Sequence, residues 1–190
     1  MTEQLTEIRK RLSKVLKKER FEHTIGVMYT AASLAMRYGE DVEQAMTAGF
    51  LHDCGKFCPA KEQIKLCKKN GISLTESEIE MPALIHAKLG AYLARHEYGV
   101  KDKDVLSAVT YHTTGRPDMT MLEKIVYIAD YIEPNRKEIP GLSEVRYLAF
   151  TDIDQAVCRS AGATTRYLES GGKSVDPMTI KTYNFYKKEG

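Results

Sequence analysis

Apolar residues recur every three to four positions along almost the whole chain, which is the spacing of a helical stripe. Leu5, Ile8, Leu12, Val15 and Leu16 mark one face of a first helix; Arg9, Lys10, Arg11, Lys14, Lys17 and Lys18 fall mostly on the other. The stretch EHTIGVMYTAASLAMRYG predicts a second helix that stops at Gly39, a natural C-terminal cap. Asp41 caps a third, DVEQAMTAGFLHDC, which stops near Gly55 and is followed by Pro59. A short lysine-rich helix over about 61–69 closes at Asn70-Gly71, and residues 72–80 read as a loop. Pro82 suits the first turn of a helix that runs through PALIHAKLGAYLARHEYG to Gly99. DKDVLSAVTYH predicts another, ended by TTGRPD, and MTMLEKIVYIADYIE runs to Pro134. Ser143 and Asp152 or Asp154 serve as caps for two later helices. GGKSVDP, 171–177, reads as a linker, with Asp176-Pro177 opening a last helix. The pattern holds no strand series, internal repeat or low-complexity tract. The expected fold is an all-α helical bundle in one domain, 1–190, with a core of about 18–136 and a C-terminal helical extension of about 141–190.

Composition narrows the function classes. A chain of 190 residues buries a real core. A net charge of +2 argues against a general nucleic-acid binder, which is usually far more basic. The basic face of the first helix could touch RNA or acidic lipid, but a solvated outer face is the simpler reading. No apolar run approaches the roughly 18 residues of a membrane span. MTEQLTEIRK lacks the apolar core of a signal peptide, so a cytoplasmic location is expected and disulfides are not. Cys54 and Cys58 lie beside His52, yet no second Cys/His pair follows at zinc-site spacing. Reduced, buried cysteines are expected instead.

The chemistry concentrates in histidines and aspartates. FLHDCGK, 50–56, places His52 and Asp53 side by side where a core helix ends. His23 shares a helical face with Gly26, Val27, Thr30, Ala31 and Leu34. His52 shares its face with Ala45, Ala48 and Gly49. His86 lies over Leu89, Gly90 and Leu93; His112 ends a helix whose inner face includes Val105 and Ala108. Asp130 follows Val126 and Tyr127 in EKIVYIAD. One inward histidine is most simply a hydrogen-bonded core residue. An inward aspartate needs a partner or a metal. Four such histidines and two such aspartates share one economical explanation, convergence on metal, and the donor set suits iron, manganese, zinc or nickel. His96, in ARHEYG near a helix end, reads as exposed and stands outside the set.

The order His23, then His52-Asp53, then Asp130 resembles the H…HD…D signature of the HD-domain metal phosphohydrolases. RFEHTIGV, AGFLHDCGK, IHAKLGAYLA, YHTTG and KIVYIADYIEPNR are similar, segment by segment, to the YqeK family within that superfamily. The tail VDPMTIKTYN is similar too, with Tyr183 before Asn184 where the family more often carries arginine. The resemblance implies symmetrical hydrolysis of diadenosine tetraphosphate to two ADP, by a metal-bridging hydroxide at a two-metal centre, commonly iron. It also implies that His23, His52, Asp53 and Asp130 hold one metal, that Asp53, His86 and His112 hold the second, and that Asp53 bridges them.

Around that centre, Lys56 would meet a phosphate oxygen and Arg136 would clamp a distal phosphate. Thr113 and Thr114 offer hydroxyls or merely form a turn. Asp130 is a ligand that could double as general acid. Glu22 and Glu133 are the carboxylates available to orient imidazoles. Two other functions fit the same residues: an HD phosphohydrolase of a nucleoside di- or triphosphate, guanosine alarmone or cyclic nucleotide, and a non-catalytic nucleotide-binding regulator. The expected partner is a small nucleotide. The helices over 143–169 pack either on the metal bundle or on a second copy, which leaves a homodimer open.

Overall fold

The computed structural model describes residues 2–188. Those residues form eleven α-helices and two short 3-10 turns, with no strand. The first three helices are α1 (Glu3–Val15), α2 (Lys18–Tyr38) and α3 (Val42–Leu51). A 3-10 turn, Cys54–Phe57, leads to α4 (Ala60–Lys69) and α5 (Glu76–Glu80). A second turn, Pro82–Leu84, runs into α6 (Ile85–His96), followed by α7 (Lys103–Tyr111) and α8 (Met121–Ile132). The chain ends with α9 (Leu142–Thr151), α10 (Ile153–Ser170) and α11 (Pro177–Lys188). Helix ends follow local chemistry. Gly39 closes α2 in the left-handed region, at φ 73°. Asp41 caps α3 by accepting from the Gln44 amide, and Asp152 caps α10 through Gln155.

Several expectations need correction. Residues 72–80 are not all loop, because Thr75 and Glu78 form a reciprocal capping box that starts α5. Ser143 caps nothing. Helix α9 begins two residues earlier, after Gly141, and the Ser143 hydroxyl reaches Glu138. Val15 is exposed, whereas Leu16, already past the end of α1, is the buried residue. Pro82 opens a 3-10 turn rather than α6 itself. Cys54 and Cys67 are buried, while Cys58 and Cys158 are half-buried; all four are free.

Helices α2, α3, α6, α7 and α8 pack on one another as the heart of the bundle. Val27, Met28, Ala31 and Leu34 of α2 meet Ala45, Ala48, Phe50 and Leu51 of α3 and Ile125 and Ile128 of α8 in one core. Each large side chain so buried contributes about 1.5–3 kcal/mol. Small residues set the spacing. A Cβ at Gly49 would lie 3.2 Å from the Met28 Cα and the Val27 carbonyl, so α2 and α3 approach closely. A Cβ at Gly55 would overlap the His86 carbonyl oxygen, and glycine there lets the turn after Asp53 sit on α6.

The later helices form an outer layer on this bundle. Helices α9 and α10 pack on α8, and α11 packs on α10. The linker between α7 and α8 is fixed by a buried carboxylate. Glu123 takes both ends of the Arg116 guanidinium, at 3.0 and 2.7 Å, together with the Ser107 hydroxyl and the Thr120 amide. Helix α11 docks on this linker: Thr182 donates to the Thr114 carbonyl at 3.0 Å, and the Met119 amide donates to the Tyr186 hydroxyl at 2.9 Å.

Two stability effects are expected. Arg116→Ala strands the Glu123 carboxylate and should cost about 3 kcal/mol in urea unfolding; restoring most of it with Glu123→Gln in the same chain identifies the stranded charge as the cause. Gly55→Ala should cost about 1–3 kcal/mol by forcing the turn off α6. An unchanged unfolding midpoint in either single variant would contradict the packing described.

Candidate metal centre

Five helices each deliver one side chain to a single point. His23 comes from the second turn of α2, His86 from the first turn of α6 and Asp130 from the last turn of α8. His52 and His112 stand just past the ends of α3 and α7, and Asp53 follows His52. Helix ends suit this task because their peptide groups have spare hydrogen-bonding capacity. The Nδ1 of His52 lies 2.6 Å from the Gly49 carbonyl, that of His86 2.6 Å from Ala83 and that of His112 2.7 Å from Val109. Each bond reaches back three residues. His23 differs, since its Nδ1 is 3.2 Å from Glu133 Oε1. Donation of the Nδ1 proton to these oxygens turns every Nε2 lone pair inward.

The inward atoms fall into two sets. In one, His23 Nε2 lies 3.3 Å from His52 Nε2 and 3.1 Å from Asp130 Oδ1, and His52 Nε2 is 3.8 Å from the same oxygen. In the other, His86 Nε2 lies 3.0 Å from His112 Nε2, and these are 3.2 and 3.6 Å from Asp53 Oδ1. Asp53 Oδ2 turns the opposite way, 3.4 Å from His52 and 3.9 Å from His23. The two sets are contiguous, as donors of His52, Asp53 and His112 also lie within 4.8 Å of one another.

This geometry fits metal ions. Two lone pairs 3.0–3.3 Å apart, each on a ring whose hydrogen is already committed, cannot bond to each other. Asp53 Oδ1 is buried against the lone pairs of His86 and His112, with the Lys56 ammonium on its other side at 2.9 Å. A cation among these atoms resolves both conflicts, and donors about 2.1 Å from a common ion sit at such spacings. His52 and Asp53 are fully buried, and His86 and His112 are 2% exposed, so water offers no alternative partner.

Electrostatics point the same way. Burial lowers the pKa of His52, and burial with the nearby charge of Lys56 holds His86 well below the usual imidazole value. Both rings are therefore neutral at pH 7, the form that ligates metal. For His23, burial lowers the pKa, but Asp130 and Glu133 outweigh it and the net shift is upward. Burial pushes Asp53 up, yet its imidazole neighbours His52 and His112 and the Lys56 ammonium bring it well below the carboxylate range. Asp130 is likewise lowered, its burial outweighed by the His23 hydrogen bond. Both aspartates are ionised.

Three cations surround the carboxylates. Arg20 donates to Asp53 Oδ2 at 2.7 Å, Lys56 Nζ lies 2.9 Å from Asp53 Oδ1, and Arg136 donates to Asp130 Oδ1 at 3.0 Å. The structure thus gathers His23, His52, Asp53, His86, His112 and Asp130, and brings Lys56 and Arg136 to the rim. Thr113 Oγ1 lies 3.0 and 3.3 Å from the Nε2 atoms of His112 and His86. Thr114 gives its hydroxyl to the Gly115 carbonyl instead. Glu22 is exposed, and Glu133 alone of that pair reaches an imidazole. Glu133 packs tightly enough that a Cβ at Gly26 would lie 2.6 Å from its Oε2. Sequence reasoning missed Arg20. Its signal was present: it precedes His23 by three residues, one turn along the same face.

Known proteins resemble this chain in sequence and in fold. The HD domain family matches residues 20–135, which span the residues of the centre from His23 to Asp130. The symmetrical bis(5'-nucleosyl)-tetraphosphatase of Bacillus subtilis is 47% identical over 172 residues, covering 90% of each chain. A protein of the same name from Staphylococcus aureus is 35% identical over 184 residues, covering 93% of this chain and 92% of that one. The crystal structure of a predicted HD superfamily hydrolase involved in NAD metabolism from Clostridium acetobutylicum superposes with a TM-score of 0.93, at 39% identity and 97% coverage of both chains. No described helix is long and apolar enough to cross a membrane. With the HD match over its helical heart and such identity along nearly its whole length, the chain belongs to the YqeK family of HD-domain proteins.

Proposed function

We propose that this chain hydrolyses diadenosine tetraphosphate symmetrically to two ADP at a two-metal centre, with iron as the resident metal. The observation that carries the reading is the disposition of Asp53, whose two oxygens face different pairs of imidazoles. His23, His52, Asp53 and Asp130 would hold one ion, and Asp53, His86 and His112 the other. The relatives' shared name supplies the substrate class. When bound, such a pair of ions lowers the pKa of a water molecule and neutralises phosphate charge.

The chain's own groups do the rest. Glu133 and the carbonyls of Gly49, Ala83 and Val109 hold the imidazoles in one tautomer. Arg20, Lys56 and Arg136 turn positive charge toward an incoming polyphosphate. Arg136 is pinned by the Asp130 carbonyl and carboxylate, so its planar fork is already ordered. Asp130 is an ionised carboxylate and so serves as a ligand rather than as general acid. The leaving group, an ADP phosphate oxygen, departs as an anion and needs no proton from it.

Purified protein supplied with ferrous or manganous ion should convert diadenosine tetraphosphate to ADP alone, and Asp53→Ala should lower the rate by at least about a thousandfold. ATP plus AMP would contradict the placement of the phosphates. Chelation should also lower the melting temperature, and metal at about a hundredfold over its Kd should restore about 2.7 kcal/mol of stability. A melting temperature indifferent to metal would count against a metal centre at these residues.

A further inference from the structure

The chain between α4 and α6 is anchored at its two ends and tied by polar contacts between them. At one end Ile72 and Leu74 pack against Cys67, Ile85 and Leu89; at the other Ile85 is fully buried. Of residues 75–84, none is buried. The Thr75–Glu78 capping box and the bond from the Met81 amide to the Ser77 carbonyl hold α5 together as a unit. Side chains tie that unit to the body. Ser77 donates its hydroxyl to Asp176 at 2.6 Å, and Lys88 Nζ lies 2.7 Å from Glu78. Asp176, only 8% exposed, stands at the start of α11 and also accepts from the Met178 amide at 2.8 Å.

This strap walls one side of a cleft of ≈ 380 Å³ that meets the metal centre at Thr113, whose hydroxyl lies 3.0 Å from His112 Nε2. It also carries a contact of the centre itself. His52 and His112 rest on the carbonyls of Gly49 and Val109, which lie within α3 and α7. His86 rests on Ala83, in the 3-10 turn Pro82–Leu84 at the end of the strap. We propose that residues 75–84 form a lid that swings from the cleft about Leu74 and Ile85, that Asp176 latches it through Ser77, and that latching sets His86 for its metal through the Ala83 carbonyl. Ser77 and Asp176 are then positioning residues, and the VDP segment of the tail gains a task. The inference rests on the metal centre proposed above and not on its substrate.

The energetics suit a lid. Opening uncovers no buried side chain of residues 75–84, so it loses little hydrophobic stabilisation. The Glu78–Lys88 pair is screened by solvent, with the Lys88 side chain 30% exposed, and holds weakly. The Ser77–Asp176 bond is charge-assisted and made to a largely buried carboxylate, which makes it the stronger tie. Closure does two things at once. It covers the Thr113 side of the centre and brings Ala83 back to His86, so the metal position of His86 and His112 is complete only when the cleft is shut. Gly49 and Val109 stay in their helices, so His52 and His112 keep their orientation when the strap moves.

The test uses the full chain loaded with zinc and read by hydrogen exchange with mass spectrometry. Amides of residues 75–84 should exchange at least about a hundredfold faster than those of α2 and α8. Ser77→Ala removes the latch and keeps the Asp176 bond to Met178. It should speed exchange of the strap about tenfold more and leave α2 and α8 unchanged. In chelator competition the same variant should weaken one of two zinc ions about tenfold and spare the other. Ser77→Thr, which keeps the hydroxyl, should restore both readouts, and Glu76→Ala, on the strap but outside the latch, should alter neither. Exchange of residues 75–84 as slow as the core, or unchanged by Ser77→Ala, would overturn the lid. Faster exchange with both zinc affinities intact would overturn the link to His86. A single bound zinc would contradict the two-metal centre, and exchange would still decide the lid. Neither readout uses a nucleotide, so failure to cleave diadenosine tetraphosphate would reject that substrate alone.

Discussion

Four imidazole nitrogens and two carboxylates face one another at the centre of the bundle, and they cannot satisfy each other. Each ring has committed its Nδ1 hydrogen outward, to a carbonyl or to Glu133. What remains inside is a set of acceptors, with Asp53 Oδ1 facing the lone pairs of His86 and His112 and the Lys56 ammonium at its rim. A buried group of this kind is costly unless a cation joins it. Much of the architecture follows from that requirement. Five helices aim one side chain each at the same point, and glycines at 49 and 55 let their backbones come close enough to do so.

The cations around the centre carry a second consequence. Arg20, Lys56 and Arg136 approach the carboxylates from the accessible side, with side chains 31–40% exposed. A polyphosphate, the substrate proposed above, would meet positive charge at each step, in a site whose floor excludes water. Helix ends supply the precision. Two of the four histidines stand one residue past a helix terminus, and a third in a first turn, where the carbonyl three residues back orients the ring. A histidine in mid-helix has no such carbonyl free, and His23 takes Glu133 in its place.

Much of this was legible in the chain. Helical spacing predicts the bundle, and the caps at Gly39, Asp41 and Asp152 mark real helix ends. Inward faces place His23, His52, His86 and His112 together, because apolar neighbours three and four residues away report burial directly. Other features resist such reading. Helix α5 is only five residues long, too short for a period, and only its Thr75–Glu78 capping box announces it. Val15 leaves the apolar face while Leu16 stays buried, because the helix ends between them, which a periodic pattern does not register. Arg20 and Glu133 act through contacts between elements distant in sequence, as in the 110-residue gap between His23 and Glu133. The role of α11 lies equally out of reach of pattern, since it depends on docking to the α7–α8 linker.

The central claim is that Asp53 joins two metal positions. Anomalous diffraction from crystals of the manganese-loaded protein tests it most directly. Two peaks about 3.5–4 Å apart, one on each side of the Asp53 carboxylate, are the predicted result. A single peak, or two peaks that do not share Asp53, would contradict the account.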